Sequence, residues 1–434
     1  MKRVLIISPN FPPVAYPDMQ RVRMALPFFR ECGWEVLVLK IDPAEQAGIK
    51  DPLLAVTVSP DVRVFQAGCI PAAFTSWAGV RSVGLRSFFH IAALGSRLIE
   101  AEQPDIVFFS TTMFPLFALG PYWLRKHRRP YVLDFQDPWV NDYPSNGRRL
   151  RGGWKRWVSH WMANIMEPLA VRAAAHIICV SPAYPSMIRR RYPDVESDRF
   201  SVLPFGAAES DFEVVDRYKV RQSVFSLEDG YRHWVYVGRG GLDMALALRS
   251  LFCALRCARD AAPESVRNLR LHFVGTDYAG GAGAKKTVEP IADECGVGDL
   301  VIEQTERIPY FEALRCLRDA DALIVPGSDD PGYTASKIYP YILAKKPLLA
   351  IFHEKSSVVQ VLAATQAGTV VTFNEKDTSD SISTMIFERW FCGDWKADPP
   401  TKWSEFQRYT AREMTIRLCK CFDEVISARR VTPC

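Results

Sequence analysis

The chain has 434 residues, more than one hydrophobic core usually holds, so we expect two or three domains. Hydrophobic residues make up 48% of it and charged residues 24%, values typical of soluble globular proteins that argue against a disordered or collagen-like chain. The net charge is +5, and basic residues outnumber acidic ones in the first half but not in the second, which favours an anionic partner for the first half.

Apolar runs and cysteines exclude further classes. No apolar run reaches the about 18 residues of a membrane-spanning helix, and the run behind Lys2 and Arg3 is too short for a signal peptide. The 11 cysteines form no Cys-x-x-Cys pair and no Cys/His metal spacing. Because scattered thiols are typical of a reducing compartment, we expect a cytoplasmic protein without structural disulfides.

Strands and helices alternate through the first 206 residues. The run 3–8 is continuously apolar, as in the buried strands of parallel sheets, and a proline-rich loop and a helix over 18–32 follow it. Gly33 ends that helix, and the continuing alternation predicts a parallel sheet with helices on both faces. The later strands are predicted at 35–40, 62–66, 105–110, 130–134, 176–181 and 200–204, and the later helices at 80–102, 114–126 and 154–175.

The alternation stops at a polar segment and then begins again. We therefore expect a Rossmann-like domain at 1–206, a linker at 207–230, a second Rossmann-like domain at 231–375 and a helical segment at 376–434 that packs back across the domains. Two doubly wound α/β domains of this kind face each other across a cleft, and ligands bind at the carboxyl ends of their strands. In the second domain, strands are predicted at 233–238, 269–275, 300–303, 321–326, 347–352 and 368–373, and helices at 242–260, 284–295, 309–319 and 334–344.

The segment 148–166 combines basic residues with tryptophans, a composition typical of a helix at an anionic membrane surface. A second interpretation stays open, in which the tryptophans pack into the core and the basic face is solvated. Because this interleaving is confined to one helix, the sequence argues against nucleic acid as a partner. The residues concerned are Arg148, Arg149, Arg151, Trp154, Lys155, Arg156, Trp157 and Trp161.

Glycines and cations mark a candidate phosphate site in the second domain. Gly238, Arg239 and Gly240 lie between a predicted strand and a predicted helix, where glycines let backbone N–H groups approach an anion. Ser336 and Lys337, near the start of the helix predicted there, form a second candidate. Arg239 and Lys337 together would neutralise a leaving diphosphate in place of a metal ion.

Asp137 and Trp139 follow the strand predicted at 130–134, at a carboxyl end that faces the predicted cleft. Asp137 either caps a turn before Pro138 or contacts a substrate hydroxyl, which in an inverting reaction would make it the general base. The seven histidines are unpaired, and the sequence shows no Ser/His/Asp or Cys/His signature.

Several stretches resemble one family, the glycosyltransferases of the GT-B fold. Their order and spacing are similar to those of bacterial lipopolysaccharide and exopolysaccharide sugar transferases (glycosyltransferase family 4-like), most of which retain the configuration of the sugar. The resemblance covers nearly the whole chain. The stretches are ISPNFPPVAYPDMQRVRMALPFFRECGWEVLVL, PDIVFFSTT and RRPYVLDFQDPWV in the first domain, and WVYVGRGG, LHFVGT and DADALIVPGSDDPGYTASKIYPYILAKKPLLAIF in the second.

The resemblance implies that the first domain binds a saccharide or lipid-linked acceptor and the second a nucleoside-diphosphate sugar, without a cofactor or metal. It also implies polysaccharide or glycoconjugate synthesis at the cytoplasmic membrane face, with Asp137, Arg239 and Lys337 as catalytic residues. The residues implied at the acceptor are Pro13, Arg21, Asp137 and Trp139. Those implied at the donor are Gly238, Arg239, Gly240, Gly275, Ile308, Tyr310, Asp329, Asp330, Tyr333, Thr334, Ser336 and Lys337.

Two positions depart from the family pattern. Many retaining relatives carry two glutamates eight residues apart around this loop, the second of which holds the ribose hydroxyls, and here they are Gly332 and Pro340. Either Asp329 or Asp330 serves instead, or the ribose is recognised in another way. The departure keeps inversion open, and with it a non-catalytic sugar-nucleotide-binding or scaffold protein. A sugar-nucleotide epimerase of the same fold is a further alternative, but it needs acid/base carboxylates and histidines that the sequence does not show.

Overall fold

The computed structural model describes residues 1–46, 48–75, 82–140, 153–277, 283–333, 335–393 and 395–431. The chain forms two compact units. Unit 1 consists of Met1–Gly206 and Ala411–Cys434, and unit 2 of Ala207–Thr410. Each unit contains one parallel sheet with helices packed on it, which confirms the predicted α/β fold class.

Within the described residues, the sheet of unit 1 has seven strands. They are β1 (Lys2–Ile7), β2 (Trp34–Ile41), β3 (Arg63–Ala67), β4 (Ile106–Ser110), β5 (Tyr131–Phe135), β6 (His176–Cys179) and β7 (Phe200–Val202). All pairings are parallel, in the order β3-β2-β1-β4-β5-β6-β7. The order reverses between β1 and β4, so the loops after these strands diverge and leave room for a ligand at the carboxyl edge.

The described part of unit 2 repeats this plan with six strands. They are β8 (Arg232–Val237), β9 (Leu269–Val274), β10 (Val301–Gln304), β11 (Ala322–Pro326), β12 (Leu348–His353) and β13 (Thr369–Phe373). Their order is β10-β9-β8-β11-β12-β13, again with only parallel pairs, and the reversal lies between β8 and β11. Each of the thirteen strands overlaps a strand predicted from the sequence.

Helices connect the strands and cover both sheets. The described helices of the first segment are α1 (Gln20–Phe29), α2 (Pro52–Val56), α3 (Ala72–Thr75), α4 (Val83–Glu102), α5 (Leu119–His127), α6 (Gly153–Ala173) and α7 (Ala183–Arg191). Those of unit 2 are α8 (Glu209–Arg217), α9 (Ala245–Ala261), α10 (Pro263–Val266), α11 (Glu289–Glu294), α12 (Tyr310–Asp319), α13 (Ile338–Leu343), α14 (Ser357–Thr365), α15 (Ser379–Ile386) and α16 (Trp403–Phe406). The last helix, α17 (Ala411–Val431), belongs to unit 1.

The apolar run of β1 is buried on both sides of its sheet. Leu5 and Ile7 belong to one hydrophobic cluster, whereas Val4 and Ile6 belong to another, as expected for successive residues of a strand. All four are fully buried. A strand covered on both faces has no polar side, which is why β1 reads as a continuous apolar segment.

The helix α17 completes the core of unit 1. It packs beside α1, and the fully buried Phe422 lies edge-on to Trp34 at 5.4 Å and to Phe108 at 5.2 Å between ring centroids. Lys2 of β1 forms an ion pair with Asp423 of the same helix. The helical segment 376–434 is therefore divided, because α15 and α16 lie in unit 2.

The segment 207–230, predicted from its polarity as a linker, contains α8. Phe212 and Val215 of this helix are buried, and α8 packs beside α12 within unit 2. Glu209, Glu213 and Asp216 lie on the exposed side of this amphipathic helix, whereas Asp211 is buried.

The helix predicted over 334–344 starts later, at Ile338. This places Pro340 in the first turn of α13, where a missing N–H breaks no helical hydrogen bond. Lys337 consequently stands at the N-cap position rather than inside the helix.

Candidate functional site

Glycines in the turn after β8 make room for neighbouring side chains. A Cβ atom on Gly238 would lie 2.0 Å from Nζ of Lys337, and one on Gly241 would lie 2.3 Å from Oδ1 of Asp243. Real Cβ atoms do not approach so closely. The turn therefore has this shape because glycine leaves the space that a lysine and an ion-paired aspartate occupy.

The backbone of the same turn is fixed by the neighbouring strand. The N–H groups of Gly238 and Gly240 donate to the carbonyls of Val274 and Thr276, both at 2.8 Å. A Cβ atom on Gly240 would also lie 2.5 Å from Oγ1 of Thr287. These two N–H groups are engaged within the protein and are not offered to an anion.

Lys337 and Tyr236 form the centre of the site in unit 2. Nζ of Lys337 donates to the hydroxyl of Tyr236 at 2.6 Å and lies 4.5 Å from the centroid of its ring. Burial lowers the pKa of Lys337 to about 7, and the positive charges of Arg239 and Arg307 add to this effect. An anion at this position would restore the charge of the lysine.

Arg239 is held by an acidic partner four residues on. Its guanidinium donates to both oxygens of Asp243, at 2.9 and 2.6 Å, and lies 5.0 Å from the ring centroid of Tyr333. Burial alone would raise the pKa of Asp243, but hydrogen bonds from Arg239 and Ser328 outweigh it, and the pKa falls below its ordinary value. Asp243 thus keeps the guanidinium oriented.

Arg307 is a residue of this site that the sequence analysis missed. Its Cγ lies 3.4 Å from the position that a Cβ on Gly275 would take, and its charge acts on Lys337. Arg239 follows β8, Arg307 follows β10 and Lys337 follows β11, so three cations come from the carboxyl edge of one sheet. The position of Arg307 directly before Ile308, a predicted donor contact, could have indicated this role from the sequence.

The acidic residues predicted at the donor lie after β11. Burial raises the pKa of Asp329, and the negative charges of Asp243 and Asp330 raise it further. Oδ1 of Asp330 accepts the N–H of Gly332 at 2.8 Å, and the N–H of Asp330 donates to Oγ of Ser328 at 3.1 Å. Asp330 therefore shapes the loop.

The remaining donor candidates of this loop differ in burial and in contacts. Tyr333 is half-buried and its carbonyl accepts Oγ of Ser356 at 3.1 Å. Ser336 is half-buried beside Lys337, and Thr334 lies outside the described residues. Pro340 offers no side-chain oxygen, as predicted from the sequence.

The donor candidates after β9 and β10 make contacts within the fold, and their donor roles stay predictions. Gly275 has φ of +75°, a conformation that side chains rarely adopt, and its N–H donates to Gln304. Ile308 is half-buried. The hydroxyl of Tyr310 donates to Oδ2 of Asp211 at 2.8 Å and so joins α12 to α8.

In unit 1, Asp137 lies on the loop after β5 at the carboxyl edge of the sheet. It is exposed, yet the protein on its remaining sides raises the pKa of its carboxyl, and the charge of Asp18 adds to the rise. Trp139 stacks on Phe114 with centroids 5.7 Å apart and packs at the edge of the core. The loop therefore presents a carboxyl on a rigid aromatic base.

Glu167 anchors this loop, and the sequence analysis missed it. The carboxylate is fully buried. It accepts hydrogen bonds from the N–H of Val140 at 2.9 Å, the guanidinium of Arg191 at 2.6 Å and the hydroxyl of Tyr192 at 3.1 Å. In the sequence, Glu167 stands out only as the single acidic residue of the helix predicted at 154–175. Buried carboxylates need such partners, so Glu167 ties α6 and α7 to the Asp137 loop.

Asp18 links the first loop to the end of β4. Its carboxylate accepts hydrogen bonds from Nδ2 of Asn10 at 2.9 Å, from the N–H of Thr112 at 3.2 Å and from Oγ1 of Thr111 at 3.3 Å. Burial raises the pKa of Asp18 although these hydrogen bonds act in the opposite direction. The sequence analysis treated Asp18 only as the beginning of a helix.

Arg21 and Pro13, predicted at the acceptor, are engaged with the protein. Arg21 is 5% exposed and donates to Oδ2 of Asp134 at 2.7 Å and to the carbonyl of Leu203 at 2.6 Å. Pro13 is half-buried and its carbonyl accepts the N–H of Asp51 at 2.8 Å. The acceptor roles of both residues stay predictions, whereas their structural contacts hold the loops after β1 and β7.

The helix α6 carries an exposed apolar stripe. Trp161, Ile165 and Leu169 are 53%, 44% and 55% exposed, and their four-residue spacing places them on one face. Side chains of the basic segment before Ser159 lie outside the described residues. None of the described helices is long and apolar enough to cross a membrane, and the described side chains contain no cluster of metal ligands.

Residues 20–206 match the family described as glycosyl transferase 4-like domain. The match ends at Gly206, which is also the boundary between the first segment of unit 1 and unit 2. A search of curated proteins found no match.

Solved structures show similarity over the whole chain. HepE from Anabaena, solved in complex with UDP and glucose, has a TM-score of 0.60 at 13% identity, covering 98% of this chain and 100% of HepE. Sucrose-phosphate synthase from Thermosynechococcus elongatus has a TM-score of 0.62 at 15% identity, covering 99% and 100%. An α,α-trehalose-phosphate synthase (UDP-forming) from Burkholderia vietnamiensis has 0.61 at 12%, covering 100% of both chains. The chain therefore has the GT-B fold predicted from its motifs, and its residues 20–206 match the glycosyl transferase 4-like domain.

Proposed function

We propose that the protein transfers a hexose from a nucleoside-diphosphate sugar to a saccharide or lipid-linked acceptor. The observation that carries this proposal is the cation cluster of Arg239, Arg307 and Lys337 at the carboxyl edge of the unit 2 sheet. Diphosphates bind at such edges, and arginine and lysine are their usual partners. The glycosyl transferase 4-like domain in unit 1 supports transfer as the reaction.

The donor is assigned to unit 2 and is proposed to be a UDP-sugar. HepE has been solved with UDP and glucose, and the trehalose-phosphate synthase is named as UDP-forming. Both share the fold of this chain. The acceptor is assigned to unit 1, where Asp137 presents an exposed carboxyl beside Trp139.

In the proposed reaction, the bond between the anomeric carbon and the diphosphate breaks while the acceptor oxygen forms a bond to the same carbon. Arg239 and Lys337 stabilise the negative charge that develops on the departing diphosphate, so no metal is required. Relatives with a similar loop mostly retain the anomeric configuration. In a retaining reaction, the departing phosphate takes the proton of the acceptor hydroxyl. Asp137 then orients the acceptor hydroxyl rather than removing its proton.

A non-catalytic sugar-nucleotide-binding protein is the second candidate, favoured by Gly332 and Pro340 in place of two glutamates. Incubation of the protein with UDP-glucose and membrane-extracted acceptors distinguishes the two. Transfer releases free UDP and produces a glycosylated acceptor, whereas a binding protein retains intact UDP-glucose. An epimerase would instead yield an isomerised nucleotide sugar without acceptor.

The proposal places the protein at the cytoplasmic membrane face, on an anionic lipid surface that segment 148–166 contacts. The exposed stripe of Trp161, Ile165 and Leu169 supports it, since aromatic and aliphatic residues on one helix face insert at the interface. Replacing all three by Ser should abolish sedimentation with phosphatidylglycerol vesicles, whereas Leu227→Ser, at another exposed leucine, should not. Equal sedimentation of the wild-type protein with neutral and anionic vesicles would exclude the electrostatic part of the proposal.

A further inference from the structure

Tyr236 is a buried residue that reaches the donor site only through its hydroxyl. It is 1% exposed, and its ring packs against Phe273 with centroids 5.9 Å apart. It stands on β8 two residues before Gly238, so its ring lies within the core while the hydroxyl lies at the level of the turn. A substrate therefore has no access to the ring.

The hydroxyl of Tyr236 joins two chain segments. It donates its one proton to the carbonyl of Arg239 at 2.8 Å, which leaves its lone pairs to accept Nζ of Lys337 at 2.6 Å. Arg239 belongs to the turn after β8, whereas Lys337 precedes α13, about a hundred residues later in the chain. One oxygen atom thus contacts both segments that supply the proposed phosphate-binding cations.

The space around Lys337 leaves little freedom for another arrangement. Its ammonium occupies the volume that a side chain on Gly238 would fill, 2.0 Å from the Cβ position. The lysine is therefore enclosed between the glycine turn and the tyrosine.

We propose that Tyr236 is the positioning residue of the donor site, which holds the Lys337 ammonium and the Arg239 backbone so that both cations face one diphosphate. This inference rests on the proposed function and adds a residue to it. Tyr236 acts through the two cations and does not touch the substrate.

The charges around Lys337 give this role a measurable consequence. Arg239 and Arg307 disfavour the ammonium, Asp243 favours it, and burial disfavours it most strongly. The lone pair of Tyr236 favours the ammonium, because it accepts a hydrogen bond from it. Without the hydroxyl, the pKa of Lys337 should fall further, and nucleotide-sugar binding should weaken at a lower pH than in the wild-type protein.

The test is calorimetric titration with UDP-glucose between pH 6 and 9, since its diphosphate does not change charge in this range. In Tyr236→Phe we expect binding to weaken about tenfold at pH 8 and much less at pH 6, as after loss of a hydrogen bond to a charged group. The matched control is Tyr341→Phe, whose buried hydroxyl accepts the N–H of Val237 at 2.6 Å and donates to its carbonyl at 3.2 Å, with no contact to Lys337 among the described hydrogen bonds. This control should lower the melting temperature without changing the pH dependence.

An unchanged pH dependence in Tyr236→Phe, or an equal change in both variants, would overturn the inference. If Tyr236→Phe does not fold, 4-fluorophenylalanine at position 236 keeps the ring and fills the position of the hydroxyl with an atom that does not ionise and accepts hydrogen bonds much more weakly, so the same shift is expected and its absence has the same meaning. Failure of the wild-type protein to bind UDP-, GDP- or dTDP-linked hexoses is a separate result, which would remove the proposed function and the inference with it.

Discussion

At the scale of single residues, Gly238 shows how a missing side chain positions another one. The ammonium of Lys337 lies where a Cβ atom of residue 238 would be, and Tyr236 holds it there. In the sequence, the glycines and the lysine are two separate candidate phosphate contacts, and the glycines predict that backbone N–H groups bind the anion. In the structure, Gly238 instead leaves the space that the Lys337 ammonium occupies.

We therefore expect Gly238→Ala to act as a donor-site variant. The added methyl group must displace the ammonium of Lys337, so UDP-glucose affinity should fall about as far as in Lys337→Ala, by about 10- to 100-fold. Gly68→Ala is a suitable control, because a Cβ atom on Gly68 would meet only His90, at 3.8 Å, and its φ is not in the left-handed region. Titration calorimetry measures both, and unchanged affinity in folded Gly238→Ala would show that Lys337 does not need its observed position.

Lys337 should also make donor binding pH-dependent. Its pKa of about 7 in the free protein lies below the ordinary 10.5, and a bound diphosphate favours the charged form. Affinity for UDP-glucose should therefore be highest below pH 7 and fall as the pH rises through 7, by up to about tenfold per pH unit. In Lys337→Met, affinity should be lower and independent of pH between 6 and 9; a wild-type protein with flat affinity would contradict this.

The same shift predicts the sign of a stability change in the free protein. The unfolded state binds a proton at Lys337 between pH 7 and about 10.5 while the folded state does not, so this residue makes stability rise with pH in that interval. Urea unfolding of the wild-type protein and Lys337→Met at pH 7 and 9 measures the difference. The wild-type protein should gain stability relative to the variant at the higher pH.

Asp137 is the residue whose role separates retention from inversion. As a positioning contact, Asp137→Asn should lower kcat modestly and raise the acceptor KM while donor affinity stays intact. A general base contributes about 10²–10⁴-fold, and its raised pKa would place the acidic limb of the pH profile above the ordinary range for aspartate. Loss beyond about a thousandfold in kcat with an inverted product would make Asp137 the base and exclude retention.

At the scale of elements, local pattern predicted each strand, most directly where burial on both faces leaves an apolar run in the chain, as in β1, β4 and β11. It could not predict which helix covers which sheet. Phe422 of α17 contacts Trp34 and Phe108, which are more than 300 residues away in the sequence, and periodicity carries no information about such a contact. The late start of α13 has a local cause, since Pro340 is tolerated only in a first turn.

The docking of α17 should contribute strongly to the stability of unit 1. Phe422 is fully buried among aromatic rings, so Phe422→Ala should lower the free energy of unfolding by about 3–5 kcal/mol. Phe89→Ala provides the control, because Phe89 is 71% exposed. Denaturant unfolding followed by tryptophan fluorescence measures both variants, and similar small effects would show that α17 is dispensable for the core.

At the scale of the whole molecule, each unit carries one part of the proposed chemistry. Unit 2 is formed by one continuous stretch of chain, whereas unit 1 needs both the first 206 residues and α17. The sequence predicted the two sheets and named Arg239 and Lys337, because glycines and cations after strands have a recognisable pattern. It missed Arg307, Glu167 and Tyr236, since such isolated residues acquire their roles only through contacts with segments that are distant in the sequence.

We propose that the cation cluster of unit 2 binds the diphosphate of a nucleotide sugar without a metal. The most direct measurement is calorimetric titration of UDP-glucose at pH 6.5 in the presence of EDTA, with the wild-type protein, Arg239→Ala, Lys337→Ala and the surface control Arg267→Ala, a residue at the amino end of β9. We expect the wild-type protein and Arg267→Ala to bind equally, and the other two to bind about 10- to 100-fold more weakly. Equal affinity of all four folded proteins, or binding that appears only when magnesium or manganese replaces EDTA, would contradict the claim.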